Sequence, residues 1–452
     1  MLIGVISVIS GKNTFETASM WHLKKTDNHP SLHDIFEDFL LSRYCNSILL
    51  SIFASQFKRK MESFYQTHRN LLNHIYSPVR RGLLDEINWN DRLIGIKGSR
   101  GSGKTTFLLS YANEFFGPEN RECLYINMNH FFFADRTLAD FAGEFRAHGG
   151  KVLLIDQVFK YPNWSKELSY CYDNFEDLRI VFTGSSMMRL NEENPDLFGK
   201  VSPYLLRGFS FREYLNLAAD RQFPAYSLEE ILKNHESIAR EICSQTKPRA
   251  YFQDYLNHGF YPFFLEKRDF SENLLKTMNM TLEVDVMYIR QIEQRYLPKL
   301  RKLLYLLSLN MPYSLNVSGL SKSIGASRAT VMNYINYLRE ARLISLLYDI
   351  GEEPSKKPSR VYMYNSNLIY AISQSYVSEQ MVYETFFCNQ LMKENQIHTK
   401  ERSSQLIVNE KYNFLVTVDH RPKETPDTYQ AVEKLEVGED HRIPLWLFGF
   451  LY

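Results

Sequence analysis

Residues 93–106 read LIGIKGSRGSGKTT. Gly98, four residues, then Gly103-Lys104-Thr105 give the spacing G-x-x-x-x-G-K-[ST] of a phosphate-binding loop. The flanks agree with the loop. Leu93, Ile94 and Ile96 predict a buried strand before it. TTFLLSYANEFF predicts a helix after it, with Phe107, Leu108, Tyr111, Ala112 and Phe115 on one side. This strand–loop–helix context separates such a loop from a chance glycine-rich turn. Gly98, Gly101 and Gly103 let backbone come close to a phosphate. Bared N–H groups and the helix N-terminus then form an anion cradle. The candidate nucleotide contacts are Gly98, Ser99, Arg100, Gly101, Ser102, Gly103, Lys104, Thr105 and Thr106. Lys104 has the reach for the β- and γ-phosphates, and the Thr105 hydroxyl suits one position on Mg²⁺.

The chain has 452 residues, which predicts about three domains rather than one core. Its formal net charge is +1, so any basic footprint for nucleic acid must be local. Cys45, Cys123, Cys171, Cys243 and Cys388 are far apart and form no C-x-x-C. That disfavours a zinc site or a disulfide framework and suits reduced thiols in a cytoplasm. No run reaches the roughly 18 apolar residues of a membrane span. The opening MLIGVISVIS lacks a basic n-region, which argues against a signal peptide. Residues 1–60 fit no domain. Met61 begins a coherent helical pattern, MESFYQTHRNLLNHIY, and is expected to be the natural start.

Residues 61–208 read as an α/β domain. CLYINMN (123–129), KVLLIDQ (151–157) and RIVFTGSS (179–186) are further strands between helical stretches. That alternation predicts a parallel sheet with helices on both faces and a ligand at the carboxyl ends of the strands. Asp156 ends an apolar strand there and is placed to hold Mg²⁺, with Thr105 as the second metal residue. Thr183 and Ser185 reach the same edge as sensor residues. SPVRRGLLDEI (77–87) is expected near the adenine, with Arg80 and Arg81 as surface charges.

From about residue 61 onward the chain resembles a family of prokaryotic AAA-type ATPases with a C-terminal winged helix and a nuclease-like tail. The phosphate loop carries the resemblance together with LLIDQVFKYPNWSKEL (153–168), FTGSS (182–186), GFSFREYL (208–215) and IPLWLFGFLY (443–452). It implies ATP, Mg²⁺, an AAA-like fold and a helical lid. Two departures bear on hydrolysis. The family's acidic strand ends in Asp-Glu, the Glu activating water, whereas here the pair is Asp156-Gln157. A DLSRR-like segment becomes DLFGK, with Phe198 and Gly199 in place of polar and basic residues. Lys200 stays basic, and Arg207 is a substitute without motif support. Gln157 is therefore the candidate catalytic residue, as a weak orienter of water.

Residues 209–300 predict a lid of amphipathic helices. HGFYPFF (258–264) reads as core packing rather than a base-stacking platform. Residues 301–370 hold a helix-turn-helix pattern with Gly325 in the turn and Ser327 as N-cap. Val331, Ile335 and Leu338 face inward. Arg328, Asn333, Asn336 and Arg339 face outward and can reach DNA bases or phosphates. Lys356, Lys357 and Arg360 are expected on the wing tip. Residues 371–452 match the nuclease-like tail but place Gln405, Leu415 and Asp419 where acids and a lysine are wanted. Glu384 is the helical acid that survives, so the tail reads as a degenerate relic.

Three functions stay open: a nucleotide-dependent switch with weak hydrolysis, acting on DNA or a protein partner; an active ATPase motor or nuclease-coupled enzyme; and a non-hydrolysing scaffold. Oligomeric state is open too. Mass spectrometry of the protein from its native host should find no tryptic peptide from before Met61. An abundant one overturns that start.

Overall fold

Six consecutive loop-strand residues, Leu93–Gly98 (β1), are almost wholly buried because the strand has neighbours on both edges and cover on both faces. In the computed structural model, β1 belongs to a five-stranded sheet with Cys123–Asn127 (β2), Val152–Asp156 (β3), Arg179–Ser185 (β4) and Ser202–Leu205 (β5). The order is β2-β3-β4-β1-β5, with every pair parallel. The structure describes residues 61–266, 269–309, 315–352, 357–373, 377–400, 403–418 and 427–452. Residues 1–60, Lys356 and Asp419, for which the sequence raised expectations, lie outside the described residues. Phe64–Tyr452 forms one compact unit.

Register places the site. Gly98 pairs with Ser185, and Asn127 with Asp156, so the loop and three strand ends meet at one edge. β4 stands between β1 and β3, so the Asp156 strand is not the neighbour of the loop strand in the sheet. Lys104–Phe115 (α1), Leu138–Ala147 (α2) and Trp164–Asn174 (α3) are the covering helices. The Thr137 side chain caps α2 by accepting from the Asp140 N–H.

The segment expected as a lid begins with Phe211–Ala218 (α4) and Leu228–Gln245 (α5), each started by a Ser/Glu capping box. Pro248–Asp254 (α6) and Phe270–Met280 (α7) follow. Leu297–Ser308 (α8), Val317–Ile324 (α9) and Arg328–Glu340 (α10) come next, with Gly325 left-handed (φ 62°) between α9 and α10 and Ser327 accepting from the Thr330 N–H.

Strands from before and after residue 370 share one sheet. Ile344–Asp349 (β6) and Arg360–Met363 (β7) pair antiparallel. β6 also pairs in parallel with Ile397–Thr399 (β8), through Tyr348–His398 and Asp349–Thr399. With Leu406–Val408 (β9), Tyr412–Thr417 (β10), Thr428–Val432 (β11) and Arg442–Pro444 (β12), these strands make one mixed sheet, β12-β11-β10-β9-β8-β6-β7. One apolar cluster runs from Phe211 in the lid to Tyr452. Trp446 and Phe450, from IPLWLFGFLY, are fully buried in it, and Phe450 meets Phe211 edge to face at 6.1 Å.

Arg80 is exposed and pairs with Asp85 and Glu114, as a surface charge should. Arg81 corrects the expectation. It is buried, ion-paired with Glu213 at 3.1 Å, and donates to the Ser102, Arg207 and Gly208 carbonyls. The guanidinium ties the phosphate loop to the lid because its five donors satisfy several carbonyls at once. Arg81→Met should cost about 3–5 kcal/mol, the penalty for leaving a buried partner charge uncompensated. A thermal melt without nucleotide reads the loss.

Candidate functional site

Gly98 backs directly onto the next segment: a Cβ there would lie 2.4 Å from the Leu206 carbonyl oxygen. Gly103, at φ 89°, turns the chain into α1. These two constraints shape the loop. The Lys104 ammonium donates to the Gly98 and Ser99 carbonyls, both at 2.9 Å. Burial lowers its pKa to about 8.

The Asp156 carboxylate is 1% exposed and gathers three hydroxyls. Thr105 donates to it at 2.7 Å, Tyr125 at 3.0 Å, and Thr183 to its other oxygen. The Gln157 N–H donates to the Thr183 hydroxyl at 3.1 Å, from a left-handed backbone (φ 58°). Thr183 is thus fully buried within this network, whereas Ser185 reaches the cavity and donates to Asp285 at 3.3 Å.

A cavity of about 480 Å³ opens over the loop. Of the predicted contacts, Arg100, Gly101, Gly103, Lys104, Thr105, Thr106, Asp156, Gln157 and Ser185 line it. Gly98, Ser99 and Ser102 are buried behind the loop. Tyr76, Ser77, Pro78 and Val79 also line the cavity, as do Pro262, Phe263 and Asp285 from after residue 209. In the HGFYPFF turn, Phe260 and Tyr261 are core while Phe263 lines the cavity. A larger cavity, about 1110 Å³, is lined by Arg81, Arg207, Arg212 and Lys393. It contains neither the loop glycines nor Asp156, so size does not mark the site here.

Neither basic residue offered in place of the missing arginines meets the loop. Lys200 pairs with Asp173 at 2.6 Å and donates to the Ser169 hydroxyl. Arg207 is buried, donates to the Asn389 carbonyl and lies over the Tyr364 and Tyr452 rings. Two functional residues escaped the sequence reading. Tyr125 sat in an apolar strand, where a buried phenol needs a partner, and that was the available signal. Asp285 sat in TLEVDVMYIR, one of two acids there with Glu283, and spacing did not show that it is the buried one.

The donor set suits a nucleotide with Mg²⁺. A threonine hydroxyl and a carboxylate are hard oxygen ligands, and a lysine with bared backbone N–H groups suits polyphosphate. Elsewhere, Arg328 and Asn333 are exposed on α10 and Asn336 and Arg339 half-buried, Arg339 reaching the Tyr348 hydroxyl. Arg360 opens β7 and donates to the Ser403 carbonyl and the Tyr362 hydroxyl. Glu384 is buried and accepts from Tyr362 at 2.8 Å and Gln380 at 2.7 Å. Gln405 donates to the Thr428 hydroxyl at 3.3 Å, and Leu415 lies on β10. Among the described residues no group of three or more His, Cys, Asp or Glu can hold a metal, and no helix is long and apolar enough to cross a membrane.

Comparison with known proteins matches residues 90–215 to the family model of an AAA domain, and residues 249–376 to a domain of unknown function, DUF8612. A curated relative, an uncharacterised protein of Methanocaldococcus jannaschii, is 27% identical over 288 residues. The match covers 60% of this chain and 60% of the relative, so the chain spans about three fifths of that protein's length. Among solved structures, the Aeropyrum pernix ORC1 protein in complex with DNA aligns at TM-score 0.25 and 12% identity, over 63% of this chain and 87% of that one. Cdc6p of Pyrobaculum aerophilum aligns at 0.23 and 13%, over 70% and 92%. A DNA polymerase III gamma subunit-related protein of Thermotoga maritima aligns at 0.26 and 12%, over 62% and 98%. Scores this low decide nothing about the fold, which rests on the loop, the strand order and the AAA match.

Saturating Mg-ATP, at about 100 times its dissociation constant, should stabilise the chain by about 2.7 kcal/mol, and Lys104→Ala should abolish the thermal shift. Affinity should also depend on pH. Phosphate needs the protonated ammonium, so binding is full below about 8 and weakens as pH rises through it. Calorimetric titration at pH 7 and pH 9 checks the sign.

Proposed function

Residues 90–215 being an AAA-type P-loop domain, we propose that the chain binds ATP with Mg²⁺ in the cavity beneath the lid and hydrolyses it slowly. Nucleotide state then sets the contact of α10 with DNA or a protein partner. One observation carries the reading. Lys104, Thr105 and Asp156 converge in one cavity, while the residue beside Asp156 is an amide. Tyr76 to Val79 suit the base, and the loop suits the phosphates. Thr105 and Asp156 hold Mg²⁺, which supplies charge neutralisation on the phosphates. Slow hydrolysis follows from Gln157. An amide orients water by hydrogen bonding and takes no proton at neutral pH. With Lys200 paired to Asp173 and Arg207 turned away, the arginine that compensates in some water-orienting designs is absent from both positions.

Helices α8 to α10 with the β6–β7 hairpin act as a winged helix. Exposed Arg328 and Asn333 suit DNA, whereas the diverted Arg360 takes one phosphate contact away. The tail serves packing rather than cleavage, because Glu384 is spent on Tyr362 and Gln380.

Gln157→Glu should raise turnover at least tenfold at unchanged ATP affinity, since general bases contribute about 10²–10⁴ in rate. A wild-type turnover of several per second, or a slower variant, shows that Gln157 is not the defect. Arg328→Ala with Arg339→Ala should weaken duplex DNA binding and flatten its salt dependence, as lost phosphate contacts release fewer counterions. Fluorescence anisotropy across a salt series reads both, and wild-type behaviour in the double variant assigns α10 to a protein partner.

A further inference from the structure

A lid carboxylate sits among the cations of the phosphate loop. Asp285 is 3% exposed and lies in one π-helical turn, Thr281–Val286, between α7 and the short helix Met287–Arg290. Its Oδ1 accepts from Arg100 Nη2 at 2.5 Å, and its Oδ2 from the Ser185 hydroxyl at 3.3 Å. Arg100 is the third residue of the loop, and both side chains line the cavity with Lys104 and Asp156. Arg100 and Lys104 face Asp156, Glu266 and Asp285 around this cavity. A polyphosphate adds negative charge, and Asp285 is the acid that holds a loop cation without being required at a metal position.

The same turn leads to α10. Arg290, five residues on, donates to Glu340 at 2.6 Å and to Glu193 at 2.9 Å. Glu340 is the last residue of α10. Its carboxylate also meets Arg189 at 2.5 Å, and its carbonyl accepts from the Ser186 hydroxyl at 2.9 Å. One short lid segment thus joins the phosphate loop to the end of α10. A π-turn holds one residue more than an α-turn, and such turns recur at functional sites. Returning it to α shifts the register by one residue, rotating Asp285 by roughly 100° about the axis.

We infer that Asp285 is an internal competitor for the nucleotide's phosphates: it holds Arg100 until ATP displaces it, and its departure frees α10 through Arg290. This rests on the nucleotide-binding reading above.

Binding of a fluorescent ATP analogue with Mg²⁺ to the full chain, combined with hydrogen exchange across residues 328–340, tests it. Asp285→Asn should bind the analogue about tenfold tighter, as for a wild type that frees Arg100 about one-tenth of the time. Without nucleotide, its exchange at 328–340 should match ATP-bound wild type. Unchanged or weaker affinity in a folded Asp285→Asn overturns the proposal, and so does exchange that stays at the nucleotide-free level. Arg290→Gln is an independent arm: affinity should hold while the ATP-induced change at 328–340 vanishes, and a persisting change overturns the proposal even if Asp285→Asn fails to fold. Wild type that binds no ATP, or binds it as well after Lys104→Ala, instead sinks the nucleotide reading itself.

Discussion

A carboxylate buried at the carboxyl end of β3 is the constraint on which the parallel-sheet domain depends. Removing a carboxylate from water costs several kcal/mol unless hydrogen bonds replace its hydration. Asp156 meets that cost with hydroxyls from three elements: Thr105 at the start of α1, Tyr125 on β2 and Thr183 on β4. Each donor is on a different segment, so satisfying one group fixes three segments relative to β3. The phosphate loop is therefore held in register with the strand ends before any ligand arrives. Preorganisation of this kind lowers the ordering cost that a ligand must meet.

The lid is tied to this framework from two sides. Arg81 pins the loop to Glu213 and the carbonyls at 207 and 208, deep in the structure. Asp285 pins Arg100 from above. The first tie runs through Arg81 and Glu213, which do not line the cavity, and is structural. The second uses a loop cation that a phosphate also wants, so it is the tie that responds to a ligand. Beyond the lid, the shared sheet and the cluster from Phe211 to Tyr452 leave the α8–α10 region no freedom to move as a separate bead. Any nucleotide-linked motion of α10 must be a shift against packed neighbours, which favours a few discrete positions over a continuum.

The chain by itself determined whatever is written in local spacing. The loop, its strand and its helix, Asp156 at a strand end, Gln157 beside it, and the cap and turn of α10 are all set by neighbours within a few residues. The parallel sheet also followed, because strands alternating with helices have few ways to pair. What only the tertiary structure decided involves residues far apart in sequence. Tyr125 and Asp156 are 31 apart, Arg81 and Glu213 132, and Arg100 and Asp285 185. Spacing carries no information about such pairs, since burial rather than period brings them together. The same holds for Lys200, Arg207 and Arg360, basic residues whose partners were hidden until the chain folded. A charge looks free in a sequence, and only packing shows which carboxylate or carbonyl has already claimed it.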